Sequence, residues 1–474
     1  MLAFGAETKS QSEDVPSRLW QSSSRFISVL MSDGDSRLAI DPRTRLNKYL
    51  CPAAPRPGLI CASSCTASPI EPGSFDRASS VYEALTGAGS ALERAQVRAE
   101  QHHAVKAGLL RYFEAESLAE AILCPSGTNA LLTATMLIAS ERPGLPMTVI
   151  IPSASETGTG VPLAAACRSF DGPGCGVPRV DCAVNTVEIP LRSSEGEPWS
   201  DDEIDAAFAS ATAAAHGRPV IYLTHGTKTG LIAPASPPPD VEVIVDACQV
   251  RMAPAEVVAY LRRGWPVVVT GSKFFGGPAF SGAVLFPRER LSVLRRRLHS
   301  ASPGYAGIAS ALDCRPDVGL GRLLRWTAAL HAMEAFKPLA GGMADLLRRR
   351  AAIVHRSIGY NPALVPVSGL QPRGPGWSGT PSIFTFGVRD PANYRRRLSA
   401  GELRPLYESL ARRGILLGQP VNLGPFGGLR IAVGARDLVK SASDGGLPHL
   451  FDALEEATRP ASFGFEQRGF SAWR

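Results

Sequence analysis

The chain has 474 residues, of which 45% are hydrophobic and 20% are charged, and its formal net charge is +7. This composition predicts a globular protein with a large buried core. The mild basic excess is spread over the whole chain and gives no reason to expect nucleic-acid binding, and no apolar run approaches the ~20 residues that span a bilayer.

The cysteines and histidines indicate neither a disulfide framework nor a metal site. Nine cysteines stand at irregular spacings without a CxxC pair, and we expect reduced thiols in a cytoplasmic protein. His102 and His103 are adjacent, so on a helix they diverge by about 100° and make a poor metal pair. From the spacing of these cysteines and histidines we predict no metal. The N-terminus carries no charged segment followed by an apolar core, so we also predict no secretory signal.

The pattern of apolar residues divides the chain along its length. Residues 1–40 are polar and mixed, and we expect a flexible arm there. Helical spacing follows from about 75 to 117, and then short apolar strands alternate with helices. The strands are predicted at EAILC (120–124), MTVIIP (147–152), PVIYLT (219–224), VEVIVD (241–246), VVVTG (267–271) and AVLF (283–286). Strands that are apolar on both faces and separated by helices predict an α/β domain with a mainly parallel sheet.

The C-terminal part differs in character. Long helices are predicted at 321–336 and 343–358, with a further helix over YRRRLSAGELRPLYESLARR (394–413). Strands are predicted at PSIFTFGV (381–388), ILLGQP (415–420) and GLRIAVG (428–434). We therefore predict a large domain over residues 41–324 and a smaller α+β domain over residues 325–474.

Ligands of an open parallel sheet collect at the carboxyl ends of its strands. The first such end is CPSGTNA (124–130), where Ser126, Gly127 and Thr128 open an apolar helix. Hydroxyls and free backbone N–H groups at a helix N-terminus are suited to a phosphate group. A plain N-cap by Ser126 is the other interpretation.

The second end is VIVDACQV (243–250), with Asp246 directly after an apolar strand and Gln249 three residues further on. A buried carboxylate must be neutralised or hydrogen-bonded. Asp246 is therefore either a helix cap or the partner of a cationic ring nitrogen, with Gln249 reaching a polar group of the same ligand.

The third end is TGSKFFGG (270–277). Of the chain's seven lysines, Lys273 stands directly behind a predicted buried strand. Lysine, unlike arginine, becomes a nucleophile when it is desolvated and loses its proton. Thr270 and Ser272 add hydroxyls for a phosphate, and Gly276 and Gly277 remove side-chain bulk beside the lysine.

The order SGT, DACQ and TGSK resembles the pyridoxal-phosphate (PLP) enzymes of fold type I, in the class V aminotransferase and cysteine desulfurase branch. The resemblance covers roughly residues 80–300 well and the small domain weakly. It implies a seven-stranded-type sheet with flanking helices, a smaller C-terminal domain and a homodimer, to which the loop HSASPGYAGIAS (299–310) would contribute.

The resemblance also implies roles for the residues at the strand ends. Lys273 would form the Schiff base with PLP and then move the proton at the substrate's α-carbon, and Asp246 would pair with the pyridine nitrogen. Gln249 would contact the ring's phenolic oxygen. The remaining cofactor ligands would be Ser126, Gly127, Thr128, Thr227, Thr270 and Ser272. Arg430 would hold the substrate carboxylate, unless it is a surface arginine of its strand.

Two features depart from this family. It usually stacks an aromatic ring or a histidine on the cofactor, but PSASETGTG (152–160) offers Ser155, Glu156 and Thr157 instead. Either Glu156 lies over the ring and touches the substrate, or the stacking group comes from elsewhere in the chain. A cap for the helix that starts near residue 161 is the other interpretation of Glu156. A cysteine desulfurase needs a mobile cysteine in the small domain, and no cysteine follows Cys314, so we do not expect sulfur transfer by that mechanism.

We therefore expect a PLP-dependent enzyme that acts on an amino acid through an external aldimine and a quinonoid carbanion, with aminotransfer as the default reaction. The first alternative is a lyase, or an enzyme of β/γ-substitution or carbon–carbon bond formation. The second is a non-catalytic protein with the same fold.

Overall fold

The structure is a computed structural model that describes residues 17–172, 174–298, 319–367, 380–439 and 447–459. The predicted partner loop 299–310 and Cys314 lie outside these ranges. Among the described residues, no helix is both long enough and apolar enough to cross a bilayer.

Fourteen strands form within the described ranges. In chain order they are β1 (Ile60–Ala62), β2 (Ala119–Cys124), β3 (Met147–Pro152), β4 (Val184–Ile189), β5 (Arg218–His225), β6 (Ile232–Ala233), β7 (Glu242–Ala247), β8 (Val267–Thr270), β9 (Gly282–Pro287), β10 (Leu364–Pro366), β11 (Ile383–Asp390), β12 (Asn393–Arg397), β13 (Ile415–Asn422) and β14 (Gly427–Ala432).

The same ranges contain thirteen α-helices. In chain order they are α1 (Ser17–Leu30), α2 (Pro72–Gly87), α3 (Ala91–Tyr112), α4 (Gly127–Ser140), α5 (Val161–Ala165), α6 (Asp201–Ala213), α7 (Pro254–Arg262), α8 (Arg288–Leu298), α9 (Leu320–Phe336), α10 (Met343–Tyr360), α11 (Leu403–Arg412), α12 (Ala435–Val439) and α13 (Leu447–Ala457).

The large sheet has eight strands, of which seven have the order β2-β9-β8-β7-β5-β3-β4 and the eighth, β6, pairs with β5. Strands β8, β7, β5, β3 and β4 are parallel, whereas β9 is antiparallel to both of its neighbours. The predicted mainly parallel sheet is therefore confirmed. A smaller sheet has the order β1-β13-β14-β11-β10, with β12 paired to β11.

Alternate residues of the central strands pack into two different helical layers. Val268 of β8 packs with α4 on one face, whereas Val267 and Val269 pack with the layer containing α3 and α9 on the other. All three valines are almost completely buried. Because successive side chains of a strand point to opposite faces, a strand covered on both faces must be apolar throughout. The few polar residues are therefore left at the strand ends.

The predicted N-terminal arm differs from the structure over residues 17–40, where α1 forms. Phe26 and Leu30 of this helix are buried and pack with Ala78 of α2 and Leu324 of α9. The helix has an amphipathic sequence, SRLWQSSSRFISVL, and Phe26 and Leu30 lie on its buried face. Packing of this face against α2 and α9 stabilises the helix, which the polar composition of the segment did not indicate.

Arg325 of α9 binds the segment that follows α1 through hydrogen bonds to its backbone. Its guanidinium is fully buried and donates to the carbonyl oxygens of Leu30 (2.7 Å), Ser32, Asp33 (3.1 Å) and Phe280 (3.0 Å). Buried carbonyl groups that lose their partners cost free energy. The Arg325 side chain therefore ties residues 30–33 to the core.

Arg325→Met is expected to lower the free energy of unfolding by about 3 kcal/mol or more, since it leaves several buried acceptors unpaired. Chemical denaturation measures this loss, and limited proteolysis should show faster cleavage near residues 30–40. Arg348→Met is the matched control, because Arg348 is exposed and pairs with an exposed Asp345. Equal stability of the two variants would contradict the assigned role of Arg325.

The helix predicted over 394–413 is wrong in its first half. Residues 393–397 form β12, which pairs with β11, and α11 begins only at Leu403. Ser399 and Glu402 exchange hydrogen bonds, with the Ser399 hydroxyl accepting from the Glu402 N–H (3.3 Å) and the Glu402 carboxylate accepting from the Ser399 N–H (2.8 Å). This S-x-x-E capping pattern is a helix start signal that periodicity alone overlooked.

The division into domains at residue 325 stays a prediction. Helix α9 runs without a break from Leu320 to Phe336, across that position. Strand β1, from the predicted large domain, pairs in parallel with β13 of the small sheet. The segment between residues 60 and 68 therefore connects the small sheet to the edge of the large one, where Ser68 donates to the Lys273 carbonyl oxygen.

Candidate active site at the carboxyl edge of the large sheet

The start of α4 follows the end of β2. The Ser126 hydroxyl accepts the Asn129 N–H at 3.2 Å, so the N-cap interpretation of Ser126 is confirmed. Helix geometry then leaves the N–H groups of Gly127 and Thr128 available to an anion. A Cβ atom at position 127 would lie 2.8 Å from the Cys248 Sγ atom. Only glycine fits this close approach between α4 and the loop after β7.

Arg37 also reaches this helix start, and the sequence interpretation missed it. Its Nη2 atom lies 3.4 Å from the Ser126 hydroxyl, and its guanidinium is paired with Asp35. The same group stands 4.9 Å from the ring centroid of Phe280. No local motif marks Arg37, because only the folding of the N-terminal segment brings it to α4.

Asp246 lies at the end of β7 and is 6% exposed. Its Oδ1 atom accepts the Cys248 N–H at 3.1 Å, and α7 begins only at Pro254. Asp246 is therefore not the cap of the following helix. The Gln249 side chain is also buried; its Nε2 donates to the Cys65 carbonyl oxygen at 2.9 Å, and its Oε1 lies 3.4 Å from the Arg251 Nε atom.

Lys273 follows β8 at the same edge and is half-buried. Within the described ranges, its ammonium group makes neither a hydrogen bond nor an ion pair, whereas its carbonyl oxygen accepts from Ser68. The Thr270 hydroxyl donates to the Cys248 carbonyl oxygen at 2.7 Å, and Ser272 is buried beside it. The loops after β7 and β8 are thus joined directly behind the lysine.

The glycines after Lys273 have a different role from the one that the sequence indicated. A Cβ atom at Gly277 would lie 2.6 Å from the Ala329 Cβ atom of α9, and Gly276 has a φ of +77°. Gly277 therefore permits close packing against α9, and Gly276 supplies a left-handed turn. Neither observation concerns space for a ligand ring.

Glu156 lies in a buried cluster after β3 and is 1% exposed. Its Oε1 atom accepts from the Arg192 Nε atom at 2.6 Å, and its Oε2 atom accepts from the hydroxyls of Thr227 (2.7 Å) and Thr229 (2.8 Å). Burial alone would raise the pKa of Glu156, but the Arg192 charge and these hydrogen bonds hold it below its ordinary value. The cap interpretation is wrong, because the N-cap position of α5 is Gly160 and has no side-chain cap.

The other two candidates for ring stacking are tied to the same loop. The Thr157 hydroxyl donates to the Ser153 carbonyl oxygen at 3.2 Å, and the hydroxyls of Ser155 and Ser153 are 2.6 Å apart. Thr227, a predicted cofactor ligand, donates its hydroxyl proton to Glu156. Its own hydroxyl oxygen accepts the Leu231 N–H at 3.1 Å.

Arg430 of β14 is 2% exposed and is not a surface arginine. Its guanidinium donates to the carbonyl oxygens of Lys228 (2.9 Å) and Gln419 (2.8 Å) and to the Thr66 hydroxyl (3.0 Å). The small sheet thus reaches the loop after β5. Arg430 and Lys228 are adjacent at the site, and the sequence interpretation did not select Lys228.

The fold therefore brings together the residues that follow five strands. Ser126 follows β2, Glu156 follows β3, Thr227 follows β5, Asp246 ends β7 and Lys273 follows β8. These strands point the same way, so their carboxyl ends share one edge. Among the described residues, no group of three histidines, cysteines or carboxylates is placed to hold a metal ion.

The sequence matches no protein-family profile and no curated protein sequence. The fold, however, is similar to several solved structures. The cystine C–S lyase C-DES in complex with cysteine persulfide has a TM-score of 0.56 and 13% identity, over 84% of this chain and 98% of that chain. Phosphoserine aminotransferase from Cytophaga hutchinsonii has a TM-score of 0.54 and 14% identity, over 82% and 96%.

A C-DES variant with glycine covalently linked to its PLP cofactor has a TM-score of 0.53 and 13% identity, over 84% of this chain and 97% of that chain. Likenesses at such low identity concern the fold. They confirm the predicted fold class, the PLP-transferase fold type I.

Proposed function

We propose that the protein is a PLP-dependent enzyme that acts on an amino acid, with Lys273 as the residue that binds the cofactor covalently. The observation that supports this most is the Lys273 ammonium, which makes no hydrogen bond or ion pair among the described residues although it is half-buried behind a buried strand. Partial burial of an ammonium group without a partner costs free energy unless a ligand pairs with it. A lysine that gives up its charge in a covalent bond to a ligand removes this cost.

The residues around Lys273 fit PLP in their chemistry. The start of α4 offers backbone N–H groups and the Thr128 hydroxyl to a phosphate. The Asp246 carboxylate uses its Oδ1 atom for the Cys248 N–H, which leaves Oδ2 to pair with a cationic ring nitrogen. Bound PLP supplies an electron sink for the bonds at the substrate's α-carbon.

The residues of the chain would then have separate roles in the reaction. Asp246 would hold the proton on the ring nitrogen, and the buried surroundings of Thr270, Ser272 and Gln249 would exclude water from the ring. The Lys273 Nζ atom would accept and return the proton at the α-carbon.

Covalent trapping tests the proposal. Purified protein incubated with PLP, freed of excess and reduced with borohydride should carry one modified lysine per chain, mapped by mass spectrometry to the peptide containing Lys273. The visible absorption band of the loaded protein should disappear on reduction. The absence of both the band and the modified peptide would overturn the proposal.

Aminotransfer is the reaction that we propose first. An amino donor should then release its keto acid while the cofactor is converted to its amine form. The position near β3 that lacks an aromatic ring, at Ser155 to Thr157, favours a lyase or substitution reaction as the second candidate. In that case the α-proton would exchange with solvent while the cofactor kept its aldehyde form.

We also propose a homodimer, as the resemblance implies, and a cytoplasmic location, as the irregular cysteine spacing indicates. Light scattering or analytical ultracentrifugation of the loaded protein would give the mass that tests the dimer.

A further inference from the structure

Lys228 is a second amine at the edge of the sheet, and the proposed chemistry does not use it. It lies three residues after β5, and its Nζ atom donates to the Ala154 carbonyl oxygen at 2.7 Å, beyond the end of the neighbouring β3. An ammonium group has three N–H donors. Within the described ranges it has no ion pair, so two donors remain for a ligand.

Arg430, which the family resemblance assigns to the substrate carboxylate, is already occupied. Its Nε and Nη2 atoms both donate to the Gln419 carbonyl oxygen, and Nη2 also donates to the Thr66 hydroxyl. Its Nη1 atom donates to the Lys228 carbonyl oxygen, so four N–H groups are used. A guanidinium has five N–H groups, so a single one is left. A bidentate pair with a carboxylate needs two on the same edge, and the side chain is almost completely buried.

The main chain of Lys228 is fixed on both sides. Its N–H donates to the Glu156 carbonyl oxygen at 2.7 Å, and its carbonyl oxygen accepts from the Arg430 Nη1 atom at 2.9 Å. The neighbouring residues Thr227 and Thr229 are held by the Glu156 carboxylate. Such a residue reaches its ligand with little loss of conformational freedom.

The charges near Lys228 favour an anion. Burial, followed by the positive charges of Arg430 and Lys273, lowers the pKa of Lys228 to about 8, and the Glu156 charge opposes this. Glu156 is itself paired with Arg192, so it does not neutralise Lys228. A bound carboxylate would relieve the repulsion among the cations.

We propose that Lys228 holds the α-carboxylate of the amino-acid substrate and that Arg430 positions Lys228 without touching the substrate. This inference rests on the proposed function. It places the carboxylate contact on the loop after β5 of the large sheet and not on β14 of the small sheet.

Glycine and glycinamide test the assignment, because they differ in the carboxylate and are small enough for any side-chain pocket. Their affinities for PLP-loaded protein would be measured by calorimetry and by the shift of the visible band. The wild-type protein should bind glycine about tenfold more tightly than glycinamide, because one charge-assisted hydrogen bond raises the affinity by about that factor. Lys228→Met should remove this preference, and Lys228→Arg should restore part of it.

Lys337→Met is the matched control, because Lys337 is an exposed lysine outside the site, and this variant should keep the wild-type preference. A Lys228→Met variant that still prefers glycine, or a wild-type protein that never does, would overturn the inference alone. Protein that takes up no PLP would overturn both this inference and the proposed function.

Discussion

Replacing Lys273 with alanine is expected to abolish the covalent link to PLP and to slow the proton transfer at the substrate by about 10²–10⁴-fold. The stability should change by about 1 kcal/mol or less, since the Lys273 ammonium makes no hydrogen bond or ion pair among the described residues. Borohydride trapping measures the link, turnover measures the rate, and chemical denaturation measures the stability.

Lys337→Ala is the control for this substitution, because it removes an exposed lysine and should leave the link intact. A Lys273→Ala protein that still forms a borohydride-stable bond would contradict the assignment. Lys228 also lies at this edge of the sheet, and mass spectrometry of the modified peptide would distinguish attachment at Lys273 from attachment at Lys228.

The second large effect is expected at the buried ion pair of Glu156 and Arg192, whose side chains are 1% and 8% exposed. Arg192→Met should lower the free energy of unfolding at pH 7 by about 3–5 kcal/mol, because it leaves a buried carboxylate without its cation. Denaturation with urea or guanidinium measures this loss.

The pH dependence of stability should have opposite signs in the two proteins. In the wild type, the pKa of Glu156 is below its ordinary value. The pair's contribution is therefore present above pH ~4.3, the usual pKa of glutamate, and is lost as the pH falls through the lowered value. In Arg192→Met, burial without a cation raises the pKa of Glu156, so that the variant loses stability as the pH rises.

Two further variants separate the buried charge from other effects. The double variant Glu156→Gln with Arg192→Met carries no buried charge and should recover part of the stability. Arg404→Met breaks an exposed pair with Glu408 and should cost about 0.5 kcal/mol or less. A loss in Arg192→Met no larger than in Arg404→Met would contradict the role of the pair.

Much of the large sheet could be predicted because its central strands are buried on both faces. Such strands must be apolar throughout, so VVVT (267–270) and VIVD (243–246) are recognisable without any tertiary information. The smaller sheet was harder to predict, since β12 is a short exposed strand with the sequence NYRRR. Its arginines carry no strand signal, and only pairing with β11 defines it.

Candidate site residues could be selected from the sequence where they stand directly at strand ends, but not where they come from elsewhere in the chain. Asp246, Gln249 and Lys273 follow from local sequence. Arg192 is 36 residues away from Glu156 in the chain, and no motif connects them. Lys228 had a usable signal, because it also stands three residues behind a buried strand, as Lys273 does.

The sequence alone determined the alternation of strands and helices and the polar residues at the strand ends, because burial on both faces selects apolar residues locally. Only the tertiary structure decided which polar groups pair. The neighbours β3 and β5 bring Glu156 to Thr227, and β14 brings Arg430 to the Lys228 carbonyl oxygen. Partner choice depends on which strands lie side by side, and the chain sets this order only when it folds.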